Sequence, residues 1–311
     1  MDKIPPEKNP GLAMMESGDL TGAKAAFEQA LALDEDIFGP DSAEVAADAR
    51  YLGNVLCRLG DFTAARPLFA RALRISQTLF GKDSAESAVD AGNLGTVLQE
   101  LHDLPAALEH FELALGNDEA ALGPHHPQVA LDLNRIAGLL VEMGDLAGAI
   151  TLYRRVLVID EAAFGPESLD VLEDLNQLGL ALLRQQELDA ALEILTRMAG
   201  VTEKHFGKNH PQMAVILNRL GNLYQAKENL PAAERVYRQA LEIDQAALGK
   251  PHQALARDWN NLGVVFEKMG DLPAATKAYR RALDNLEGLL PEDHPFLHGM
   301  KQNLARLAKG G

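Results

Sequence analysis

The residues with the greatest chemical capacity in this sequence recur. Histidines stand at His126, His210, His252 and His294, with His125 and His205 close by. A row of imidazoles could ligate zinc or act as general bases. The pairs Gly81-Lys82, Gly207-Lys208 and Gly249-Lys250 look like the end of a phosphate-binding loop, and acidic runs such as Asp34-Glu35-Asp36 and Asp160-Glu161 could offer paired carboxylates. None of these completes its chemistry. No Gly-Lys has a glycine five residues earlier together with Ser or Thr directly after the lysine. The acidic runs have no convergent His, Ser or Cys. The expectation is a non-enzyme with no cofactor and no metal.

The elements that position these residues explain them better. The tripeptide Gly18-Asp19-Leu20 returns as Gly60-Asp61-Phe62, His102-Asp103-Leu104, Gly144-Asp145-Leu146, Gln186-Glu187-Leu188, Glu228-Asn229-Leu230 and Gly270-Asp271-Leu272, always 42 residues on. A second marker, an apolar residue followed by glycine, sits at Gly39, Gly81, Gly123, Gly165, Gly207 and Gly249 at the same step, with Pro291 where a seventh would fall. Between markers the apolar residues follow the i, i+3, i+4, i+7 spacing of amphipathic helices, so each period is a helix hairpin. The marker glycines then read as left-handed residues ending second helices. The histidine phase carries Ser42, Ser84 and Ser168 in other repeats, with proline following three of the histidines, so it marks the first-helix N-cap. Caps on successive hairpins lie on the order of 10 Å apart, too far to share one zinc.

Within the hairpins Ala23, Ala65, Ala107, Ala149, Ala191, Ala233 and Ala275 form a column. Phe27, Phe69, Phe111, Tyr153, Leu195, Tyr237 and Tyr279 follow four residues later. Glycines at 53, 95, 179, 221 and 263 recur on the first helices, which argues for close packing against the partner helix. Trp259, Leu262, Gly263, Phe266, Ala275, Tyr279 and Ala282 resemble, position by position, the tetratricopeptide repeat, and the 42-residue form is similar to the repeats of kinesin light chains. The resemblance covers roughly residues 11 to 295. It implies an all-α fold, a right-handed superhelical solenoid of antiparallel helix hairpins. The expected organisation is an N-terminal tail and short incomplete first helix over 1–20, the solenoid over 21–293, and a C-terminal capping helix over 294–311.

Two columns on the first helices stand out. Asn134, Asn176, Asn218 and Asn260 share one phase, with Arg50 and Gly92 there in earlier repeats. Asparagine is unfavourable inside a helix, so its return needs a reason. Asn218, Asn222 and Gln225 share a helical face turned away from Leu217, Leu220, Gly221 and Tyr224. The family resemblance implies that this face lines a concave groove holding extended peptides. There the four asparagines would bond a ligand backbone, with Arg219, Asn222, Gln225 and Arg257 tuning side-chain preference. The alternative is that the amides brace adjacent helices. Asp48, Asp90, Asp132, Asp174 and Asp258 form the second column, interrupted by Ile216 and about 200° round the helix from the asparagines. It reads as an inter-repeat salt-bridge or capping ladder, a solvated ridge, or a negative stripe that steers basic partners.

Composition narrows the partners. A net charge of −16 and the lack of a basic patch argue against nucleic acid. One cysteine, Cys57, fits a reducing compartment, and no run of about 18 apolar residues suggests a membrane span. The expectation is a cytoplasmic protein-interaction scaffold with a protein or peptide partner. Two other readings stay open: a self-assembling structural protein that associates through its N-terminal end, or a sensor or adaptor module working with a separate NTPase or signalling partner.

Overall fold

The computed structural model describes residues 10–249, 252–286, 289–291 and 294–310; the first nine residues of the expected N-terminal tail lie outside this set. The described residues form fifteen α-helices and no strand. In chain order they are α1 (Pro10–Ser17), α2 (Leu20–Phe38), α3 (Ala43–Arg58), α4 (Phe62–Phe80), α5 (Ala85–Glu100), α6 (Leu104–Leu122), α7 (Pro127–Met143) and α8 (Leu146–Phe164). They continue with α9 (Val171–Arg184), α10 (Leu188–Phe206), α11 (Pro211–Ala226), α12 (Leu230–Ala247), α13 (Gln253–Lys268), α14 (Leu272–Asp284) and α15 (Pro295–Gly310). Odd-numbered helices are the first helices of hairpins, even-numbered ones the second, and α15 follows the last hairpin. The chain forms two compact units, Met1–Ala163 and Phe164–Gly311.

Caps set the helix starts. The Ser42 and Ser84 hydroxyls accept the backbone N–H of Val45 and Ser87 at 3.3 and 3.2 Å. At His126, His210, His252 and His294 the ring Nδ1 accepts the N–H two residues on, at 3.1 to 3.2 Å. These histidines are therefore capping groups, each satisfying one of the donors a helix N-terminus leaves over. Asp19, Asp61, Asp145, Asn229 and Asp271 do the same for second helices.

The two corners of the hairpin differ. Before each second helix, Gly18, Gly60, Gly144 and Gly270 have φ from 80° to 87°, and His102, Gln186 and Glu228 take φ of 60°, 65° and 58° in their place. After the second helix, Gly39, Gly81, Gly123 and Gly207 combine φ of 83° to 97° with ψ of 157° to 162°. That is not the left-handed helical geometry expected from the sequence. It is the extended, positive-φ region open almost solely to glycine, which accounts for glycine at these four corners.

Small beside large builds the core. The alanine column from Ala23 to Ala275 is fully buried, as are Phe27, Tyr237 and Tyr279. A Cβ on Gly53, Gly95, Gly221 or Gly263 would fall no more than 2.7 Å from the ring of Phe69, Phe111, Tyr237 or Tyr279. These four hairpins close over such a ring, and burying one side chain of this size contributes roughly 2 kcal/mol. In the first unit this core runs from Ala23 through Leu139; in the second, Ala233 to Tyr279 form another. Leu297 and Met300 of α15 pack on Ala256, Ala282 and Leu286, while Phe296 stays 36% exposed.

Candidate functional site

The first helices carry the candidate site, and its residues divide into two groups. Asn218 of α11 is only 5% exposed. Its Nδ2 donates to the Ala214 carbonyl at 3.0 Å and to Asp258 Oδ1 of α13 at 2.8 Å, while its Oδ1 accepts from Asn261 Nδ2 at 3.0 Å. The expected outward face is here a seam between neighbouring first helices. The same phase does the same work in the first unit. Arg50 Nε donates to Asp90 Oδ1 of α5 at 2.6 Å and Nη2 to Oδ2 at 3.3 Å. At Gly92 there is no side chain to bridge; Arg135 Nη1 lies 3.2 Å from where its Cβ would be and donates to Asp132 Oδ1 at 3.0 Å.

These contacts correct the reading of the acidic column. Asp48, Asp90, Asp132, Asp174 and Asp258 are at most 6% exposed, so they form neither a solvated ridge nor a stripe that projects charge toward partners. The geometry behind this is simple. In a stack of side-by-side helices, each helix has neighbours on two opposite flanks, so two columns about 200° apart are the ones that meet across successive repeats.

A third column escaped the sequence reading. Fourteen residues before each first-helix position, on the preceding second helix, stand Asp34, Ser76, Asp118, Asp160, Thr202 and Asp244, again 42 apart. Ser76 Oγ donates to Asp90 Oδ2 at 2.5 Å. Where the partner is an aspartate, two carboxyls meet. Burial, then the charge and hydrogen bond of Asp34, push the Asp48 carboxyl up to about 7. Burial and Asp118 raise Asp132 to about 7 against the pull of Arg135, and burial and Asp258 raise Asp244 to about 7 against Arg257. Arg257 is held at this seam, its Nη2 3.1 Å from Asp258 Oδ1 and 3.3 Å from Asp244 Oδ2.

The second group stays accessible, in the second unit. Asn222 is exposed and Gln225 half-buried on α11; the Tyr237 hydroxyl donates to Asn222 Oδ1 at 2.6 Å and to Gln225 Oε1 at 3.4 Å. Burial pushes the Tyr237 phenol up, so it remains a donor. This bond fixes Asn222 with its NH2 group free to donate outward. Asn260 of α13 is half-buried, and Asn176 of α9, also half-buried, accepts from Arg219. Asn134 is half-buried on α7 of the first unit. Among the described residues no group of three His, Cys, Asp or Glu side chains is placed to hold a metal ion, and no helix is long and apolar enough to cross a membrane.

A profile of the tetratricopeptide repeat matches residues 9–77, 46–120, 83–157, 128–204 and 206–288. The chain belongs to the tetratricopeptide repeat family. Solved structures agree on the fold. A tetratricopeptide repeat-containing protein from Cytophaga hutchinsonii superposes with a TM-score of 0.66 at 12% identity, over 94% of this chain and 98% of the other. The nearly identical TPR-like repeats of a kinesin light chain candidate from Podosopora anserina give 0.59 at 17% identity, over 66% and 98%. RapI in its apo form gives 0.58 at 16% identity, over 97% of each chain. No curated protein sequence matches the chain. Tetratricopeptide repeats serve generally as scaffolds for protein–protein interaction, and the fold supports that coarse function here.

Proposed function

We propose that this tetratricopeptide repeat protein captures an extended peptide segment of a partner protein along the first-helix face of its second unit. The reading rests on one observation above the others: Asn222 is exposed and its amide oriented by the Tyr237 hydroxyl at 2.6 Å. An amide held in place loses little freedom on binding, and it can bond a peptide backbone whatever the ligand's side chains. Gln225 and Asn260 extend the row, and the Arg219–Asn176 pair supplies charge at one edge. Asn218 supports the same face from behind by tying α11 to α13, and Arg257 by tying α13 to α12.

The test is selection of a displayed library of random linear peptides by the purified chain and by an Asn222→Ala/Gln225→Ala/Asn260→Ala variant. The wild type is expected to enrich peptides that the variant binds on the order of 100-fold more weakly, at about 1 kcal/mol per neutral hydrogen bond, with helical content unchanged and only a small fall in melting temperature from the Tyr237 hydroxyl's lost acceptors. Equal enrichment by both proteins would move the site off this face.

A further inference from the structure

The paired aspartates pose a problem that the peptide-binding reading does not touch. Asp48 is 6% exposed, Asp132 2% and Asp258 fully buried, and in each the Oδ2 atom receives no hydrogen bond. The group each carboxyl meets is another carboxyl: Asp34, Asp118 and Asp244 respectively. Two carboxylates side by side in a buried seam have no donor between them. A carboxylic acid beside a carboxylate has one.

The neighbouring repeats show what this position requires. At Asp90 the same site on the preceding helix holds Ser76, whose hydroxyl donates to Oδ2 at 2.5 Å, and Arg50 supplies charge from the other flank. Where the acid is replaced by Ile216, no donor is required and Thr202 stands opposite. The position thus carries either an acid with a donor facing it or no acid at all. At the aspartate pairs Arg135 and Arg257 reach Oδ1 of Asp132 and Asp258, but the Oδ2 atoms of Asp48, Asp132 and Asp258 stay without a donor, and the donor left to them is a proton on one of the two carboxyls.

We propose that each aspartate pair is a proton-binding site in which one shared proton latches a second helix to the next hairpin's first helix, so that the array loosens when the proton leaves. The charged groups facing the sites differ. Asp48 faces Asp34; Asp132 faces Asp118 and Arg135; Asp258 faces Asp244, Arg257 and the amide of Asn218. The two arginines ease release from their pairs, and the Asp34–Asp48 pair has none to do so. Burial dominates in all three pairs and holds the carboxyls of Asp48, Asp132 and Asp244 raised to about 7. The sign follows. A carboxyl in an unfolded chain has lost its proton by about pH 4, whereas the folded pair keeps it, so the latch is fully present at low pH and is lost as pH rises through about 7.

Titration of the full chain with ¹³C-labelled aspartate, followed by carboxyl NMR, tests this directly. At least three resonances should titrate near pH 7, and Asp48→Asn, Asp132→Asn and Asp244→Asn should each remove the transition of their own pair. An amide imitates the protonated acid, so the triple variant should melt higher than wild type at pH 8 and lose most of the wild type's fall in melting temperature between pH 5.5 and 8. Aspartates that all titrate below about pH 5 would overturn the assignment, and wild-type spectra alone decide this even if a variant fails to fold. A shift of the same resonances on adding calcium at pH 8 would also overturn it, by making the pairs a cation site instead.

Discussion

Two seams of this molecule occupy equivalent places and solve one problem in opposite ways. Between α4 and α5, Asp90 is fully buried and bonded by Arg50 on one flank and Ser76 on the other. Between α10 and α11, the same two positions hold Thr202 and Ile216, both fully buried. The first seam spends a cation and a hydroxyl to keep a carboxylate inside; the second has abandoned the carboxylate. The backbone tolerates both, because the repeat fixes where the helices meet and leaves open what chemistry fills the junction. A buried acid is thus not required for stacking, and where one is kept, its partners decide whether it stabilises or harms.

The largest effect is expected from removing the cation of the charged seam. Arg50→Ala leaves Asp90 with Ser76 alone in a fully buried site, and an uncompensated buried charge costs about 3 kcal/mol. Urea melts of the full chain would register this, with amide exchange of α5 showing where protection is lost. A Ser76→Thr/Asp90→Ile background copies the other seam into this one. There, Arg50→Ala should cost less than about 1 kcal/mol, since no acid remains to be stranded. An undiminished cost in that background would mean that Arg50 stabilises through its packed stem rather than through Asp90.

The apolar seam gives a smaller effect of opposite sign. Thr202 Oγ1 is buried and has no partner among the described residues. Thr202→Val keeps the shape and removes the unsatisfied group, so it should stabilise by about 1 kcal/mol, read as a higher urea midpoint with an unchanged slope. A loss of stability would place an ordered water at the hydroxyl.

The same seams show what the sequence could and could not reveal. The 42-residue step without insertion made every column visible, so hairpins, first-helix caps and close packing at the recurrent glycines followed from spacing, while the rings over Gly53, Gly95, Gly221 and Gly263 came from the structure. Facing directions did not. Asn218 was placed by the faces of a single helix, on which it points away from Leu217 and Leu220, but a helix in a stack has two flanks as well as a core side. The signal was present: Arg50 and Asn218 lie 40 residues before Asp90 and Asp258, and columns on opposite flanks are the ones that touch. The third column was hidden differently. Asp34 sat inside Asp34-Glu35-Asp36 and read as part of a charged run, whereas its phase with Ser76, Asp118 and Thr202 marks it as a seam residue.

The corners repeat the lesson of the seams with less at stake. The corners at Gly39, Gly81, Gly123 and Gly207 have ψ near 160° at positive φ and disfavour any side chain, while the corner before the second helix admits His102, Gln186 and Glu228 at φ of 58° to 65°. These three residues sit where a side chain is tolerated at a strain of about 1 kcal/mol, and the repeat offers glycine as the unstrained choice. Glycine also gives the unfolded chain more freedom, which offsets roughly half of that relief or more. Glu228→Gly should therefore stabilise by only a few tenths of a kcal/mol, visible as a rise in melting temperature on the order of 1 °C. A fall instead would show that the unfolded chain's gain outweighs the strain, and that the left-handed corner, unlike the extended one, leaves residue type nearly free.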